Sequence, residues 1–163
     1  LTFTEKGILY GIVGSGGTLV DQLFTIDPTN AALTYVTTFV PSTAGGEQIC
    51  YNFDNKLIYR WAGDPVDTFQ SFNPKTLEII TIPTSGSVDE AITGSLYLGK
   101  NKILTMDREE DYDIYTTSGV STPTGVDIPA YFRGMAQAFT FKEIKPKVCH
   151  TRCVHFGKKK NIN

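Results

Sequence analysis

Histidine is scarce in this chain: there are two in 163 residues, His150 and His155, both near the C-terminal end. A Ser/His/Asp or Cys/His relay would therefore need that end to fold back across the rest of the molecule, which leaves nucleophilic catalysis little support. Cysteine is nearly as sparse. Three thiols cannot all pair within one chain, and Cys50 lies far in sequence from Cys149 and Cys153, so no dense disulfide framework is present. Cys50 falls in an apolar run, where a buried, inert thiol is expected. No apolar run approaches the eighteen or so residues that a membrane helix needs, so no helical membrane span is expected. No basic segment followed by an apolar core opens the chain; either the protein is not exported or a signal has been removed before Leu1. The absence of an Asn-x-Ser/Thr acceptor removes one sign of a eukaryotic secretory route without excluding export.

What the chain does have is a repeat of roughly 45 residues, a period typical of propeller blades. Leu9, Ile58 and Leu104 lie in equivalent apolar runs at spacings of 49 and 46 residues, and Leu23, Phe69 and Ile114 open a second set at 46 and 45. Gly46, Gly94 and Gly134 precede a third set, at 48 and 40. The second repeat is the clearest. Its four short runs, 48–53, 57–62, 68–72 and 77–83, are rich in β-branched and aromatic residues. They are divided by the turn-forming stretches 54–56, 63–67 and 73–76, which predicts a four-strand meander.

The expected fold is all-β: a propeller-like array of about three four-stranded antiparallel blades, near 1–45, 46–91 and 92–133, with a fourth blade beginning over 134–141. A β-sandwich is the alternative, although it would not require the period. Residues 142–163 form a separate basic extension with seven Lys/Arg and one Glu, net +6, against −8 for residues 1–141. Within it Cys149, Cys153, His150 and His155 are zinc-compatible in type, without the usual second pair of ligands. The acidic body opposes nucleic-acid binding.

The runs Leu9-Tyr10-Gly11-Ile12 and Leu23-Phe24-Thr25-Ile26-Asp27-Pro28-Thr29-Asn30 resemble the secreted or surface propeller repeats of the type LY-x-I … L-x-T-I-D-P-x-T-G-x. The resemblance covers about residues 1–139, names no activity, and implies a propeller in an extracellular or cell-surface setting. It is distinct from the tryptophan-aspartate repeat, because no Gly-His and Trp-Asp pair occurs.

In such a meander the first-to-second and third-to-fourth connections share one face, and the remaining connections share the other. That sorting puts Lys6, Lys56, Lys75, Lys100 and Lys102 on one face. The other face receives eleven of the seventeen acids, namely Asp21, Glu47, Asp64, Asp67, Asp89, Glu90, Asp107, Glu109, Glu110, Asp111 and Asp113, against Arg108 and Arg133. The candidate binding residues are Asp64, Asp67, Asp89, Glu90, Asp107, Glu109, Asp111, Asp113, Tyr131 and Arg133. No catalytic residue is assigned. The expected function is a binding module that recognises a protein or carbohydrate partner through the acidic face.

Two alternatives stand beside it. One is a carboxylate- or calcium-dependent hydrolase of a small ester or sugar, since the stretch Asp107–Asp113 offers hard oxygen ligands but lacks the order of a calcium loop. The other is an assembly half that pairs with a second copy into a closed ring. Tyr131 would suit sugar stacking. Tyr10, Tyr59 and Trp61 are expected to pack between blades.

Overall fold

A computed structural model describes residues 1–14, 17–40, 47–64, 66–86, 90–109 and 111–127, with Asp67 and Asp127 described in backbone only. Twelve strands and no helix occur among these residues, in three four-stranded antiparallel sheets. The first sheet contains β1 (Thr2–Phe3), β2 (Leu9–Ile12), β3 (Gln22–Ile26) and β4 (Leu33–Thr38). The second contains β5 (Glu47–Tyr51), β6 (Ile58–Gly63), β7 (Val66–Phe72) and β8 (Ile79–Thr81). The third contains β9 (Ile92–Gly99), β10 (Lys102–Asp107), β11 (Asp111–Thr116) and β12 (Ser121–Asp127). Each sheet is a sequential meander, so these are propeller-like blades, and the array is not closed. Three separate sheets replace the two faces of a sandwich. The start of a fourth blade and the basic extension lie outside the described residues.

The first strands of the blades lie side by side. The Thr2 hydroxyl accepts a hydrogen bond from the Tyr51 N–H at 2.9 Å, and Gln48 donates to the Ser95 hydroxyl at 2.8 Å. Alternation along each strand sends one set of side chains to each neighbouring sheet. Tyr10 and Leu23 from the first sheet meet Ile49, Tyr51, Ile58 and Phe72 of the second, with Phe39 from the connection between them. On the opposite side Tyr59, Trp61 and Phe69 of the second sheet meet Ile92, Tyr97, Ile103 and Tyr115 of the third. β6 is thus buried along its whole length. Tyr10, Tyr59 and Trp61 pack between blades, as their apolar runs led one to expect.

Between the first two sheets the packing holds a charge. Arg60, fully buried, donates from Nε and Nη2 to the two Glu47 carboxylate oxygens at 2.8 and 2.9 Å. Its Nη1 reaches Gln70 Oε1 at 2.6 Å and the Val40 carbonyl at 3.0 Å, and Nη2 also donates to Asp21. The guanidinium sits 4.9 Å from the Phe39 ring centre. All five N–H donors of the guanidinium can be accounted for in this arrangement. Burial raises the Glu47 carboxyl to about 6, with Arg60 pulling in the other direction. Asp21 and Glu47, assigned from sequence to the acidic surface, turn inward: a guanidinium buried between sheets needs carboxylates around it.

The turns repeat as closely as the strands. Asp27, Asn52 and Asn73 each open a five-residue connection whose fifth residue bonds back to their carbonyl (Ala31 N–H at 2.8 Å, Lys56 at 2.9 Å, Leu77 at 2.8 Å). Each side-chain oxygen accepts the N–H two residues on. The closing residues adopt left-handed φ of 58°, 66° and 62°. The glycine of the resembled repeat falls on Ala31, the first of these positions. Val66 and Asp67, read from sequence as part of a turn, belong to β7. Gly94, expected to precede a strand, lies inside β9 opposite Met106. After β8 the chain crosses the β11–β12 turn so closely that a Cβ on Gly119 would meet the Pro83 carbonyl oxygen at 2.2 Å.

Candidate functional site

The third blade gathers most of the acids singled out from sequence. β10 ends at Asp107, Arg108 and Glu109 turn, and β11 begins at Asp111. Asp111 and Asp113, counted from sequence among the connections, are therefore strand residues. The Asp107 Oδ1 accepts the Glu109 N–H at 2.9 Å and the Asp111 N–H at 3.0 Å, which closes the turn locally. Asp113 lies across from Thr105 on β10, and its carboxylate accepts the Ser121 hydroxyl at 2.6 Å.

Together Glu90, Asp107, Glu109, Asp111 and Asp113 line one cleft of about 160 Å³, with Ile92, Pro123 and Val126 as apolar wall. Burial, with the Asp111 and Asp113 charges adding to it, holds the Asp107 carboxyl above the ordinary aspartate value. The two N–H bonds oppose that shift in part. Like charges in a partly desolvated space leave a negative potential for a cation to meet.

Arg108 shows where the rest of the acidic face lies. It is exposed, and donates to Asp64 at 2.6 Å and to Glu90 at 2.7 Å. The connection between β6 and β7, the approach to β9 and the β10–β11 turn thus meet at one end of the molecule. That arrangement is the one the loop sorting predicts. Sequence reading passed over Arg108 as a clamp, because only its position between two connections distant in sequence makes it one. Of the other candidates, Asp67 is placed in β7 by its backbone, while Asp89, Tyr131 and Arg133 lie outside the described residues, as do Cys149, His150, Cys153 and His155.

Among the described residues, no group of three His, Cys, Asp or Glu side chains is arranged to hold a metal ion. Cys50 is buried against Tyr59 and Trp61, and burial pushes its thiol up to about 12, so it carries no thiolate at neutral pH. No helix among the described residues is long and apolar enough to cross a membrane. Comparison with protein families and with curated proteins finds no match.

Proposed function

We propose that this protein is a recognition scaffold whose third blade takes a basic side chain of a protein partner into its acidic cleft. The observation that carries the reading is the convergence of five carboxylates on one cleft of about 160 Å³, while Arg108 is already held by Asp64 and Glu90. The apolar wall of Ile92, Pro123 and Val126 suits the methylene stem of a lysine or arginine, whose charged head would meet the acids. Glu109 and Asp111 are exposed and contribute charge without closing the turn through their own carboxylates.

A lysine- and arginine-rich peptide titrated at low salt, followed by calorimetry, tests this. Binding is expected to weaken as salt rises, and the double variant E109Q/D111N should raise Kd by about tenfold, the effect of losing two partly exposed charge contacts. Equal binding of a neutral peptide, or no change in the double variant, would sink the reading. Binding of a neutral oligosaccharide in its place would move it to the carbohydrate class.

A second reading, assembly into a ring, is favoured by the open side of the first blade. Strand register puts Phe3, Leu9, Phe24, Ile26, Leu33 and Tyr35 on the face turned away from the second sheet. Phe3, Leu33 and Tyr35 are 46%, 59% and 55% exposed. The equivalent face of the second blade is covered by the first. On the third blade, Leu96, Leu104 and Ile114 share the face away from the second sheet. Two copies joined head to tail would cover both faces. Light scattering should then give twice 18.0 kDa, and L33E/Y35E should restore the single mass. A single mass at every concentration would end this reading.

A further inference from the structure

The larger cavity lies at the opposite end, where no candidate residue was assigned. It has a volume of about 480 Å³ and opens between the first two blades, among the β1–β2, β5–β6 and β7–β8 connections. Its size falls within the range of small-molecule sites. An inorganic ion alone would leave most of it to water.

The walls are apolar and the rim is basic. Ile8, Tyr10 and Tyr51 line the interior, and Lys6, Lys56 and Lys75 stand around it. The single carboxylate, Glu5, already accepts the Tyr51 hydroxyl and pairs with Lys56 at 3.7 Å. Lys56 in turn donates to the Phe53 carbonyl at 2.6 Å. Glu5, Tyr51 and Lys56 therefore satisfy one another and build the wall. The other two lysines are different: among the described residues, no hydrogen bond or ion pair holds the Lys6 or Lys75 ammonium group.

Tyr10 supplies the second and independent observation. The residue is only 6% exposed, it lines this cavity, and among the described residues no group hydrogen-bonds its hydroxyl. The ring is enclosed, but the hydroxyl is not among the fully buried polar atoms that lack a partner, so it opens onto the cavity it lines. Whatever fills the cavity, water or a bound group, completes its hydrogen bond. An acid oxygen is the fitting acceptor, because the Lys6 and Lys75 ammonium groups line the same cavity.

We propose that this cavity binds a small organic acid, a phosphate or carboxylate on an apolar ring, with the acid group held by Lys6, Lys75 and the Tyr10 hydroxyl. The ring lies against Ile8 and the two tyrosines. The site is separate from the acidic cleft and does not rest on that reading.

Four probes titrated into the whole protein by calorimetry test it: phenyl phosphate, benzoate, inorganic phosphate and benzyl alcohol. At least one of the two ring acids should bind about tenfold more tightly than both inorganic phosphate and benzyl alcohol, the factor expected of one charge-assisted hydrogen bond in a desolvated wall. Tyr10→Phe keeps the ring and its packing, and should weaken that binding five- to tenfold with the thermal midpoint unchanged. Lys75→Gln, in an exposed turn, should weaken it and flatten its dependence on salt. Benzyl alcohol binding as tightly as the acids would reduce the site to an apolar hole. Inorganic phosphate binding as tightly would reduce it to a lysine cluster. Wild-type affinity in both variants, or no binding by either ring acid, overturns the proposal.

Discussion

Replacing Arg60 by methionine should cost about 3–5 kcal/mol of folding stability, the range measured when one partner of a buried ion pair is removed. The side chain is fully buried, and its departure leaves two carboxylates, Asp21 and Glu47, facing each other in a space that water does not reach. Lost attraction is only part of the effect. Two uncompensated acids must then either remain charged at high cost or take up protons, and burial already raises the Glu47 carboxyl to about 6 with the guanidinium present. Restoring neutrality should therefore recover stability: D21N/R60M/E47Q is expected to regain at least half of what R60M alone loses. Denaturant midpoints of the two variants against the parent decide the matter. A loss below about 1 kcal/mol for R60M would mean that the ion cluster is incidental to the packing of the first two blades.

The second large effect is expected on the other side of the same strand. Trp61 is fully buried among Phe69, 5.0 Å between ring centres, and Tyr115, 5.5 Å away and edge-on. Trp61→Ala should cost about 3–5 kcal/mol, because the neighbouring strands can relax only partly into the space. Trp61→Phe should cost much less, under about 1.5 kcal/mol. Among the described residues the buried indole N–H has no hydrogen-bond partner, so a phenyl ring gives up area and removes an unpaired donor at the same time. Thermal unfolding of both variants tests the pair. Equal losses for alanine and phenylalanine would mean that the retained phenyl ring recovers none of the packing.

The period announced three blades because each must place the same apolar sets on its strands, and Leu23, Phe69 and Ile114 do fall on β3, β7 and β11. The turns were legible for the same reason: Asp27 and Asn73 occur where a side-chain oxygen can take the backbone N–H two residues on. Charge was legible only by connection. Sorting loops to two ends placed the lysines at one end and Asp64, Glu90 and Asp107 at the other, yet it counted Asp21 and Glu47 as surface. Nothing in a linear reading tells that an arginine in the middle of a strand, Arg60, draws acids from two connections into the interior. The Tyr10 cavity was hidden for a related reason. A tyrosine in an apolar run reads as packing, and packing is what its ring does; that its residue also lines a cavity becomes visible only when its neighbours are known.

Among the described residues, the carboxylates around Asp107 and the lysines around the larger cavity lie on connections at opposite ends of the sheets, and such a separation gives these blades a dipole. A positively charged partner drifting past feels a torque as well as an attraction, and the torque turns the carboxylate end toward it before any atoms touch. At physiological salt this orienting field extends only about 8 Å, roughly one screening length. Most collisions would then still arrive at random angles. The final approach, however, would be aligned, and encounters at the lysine end would be turned away.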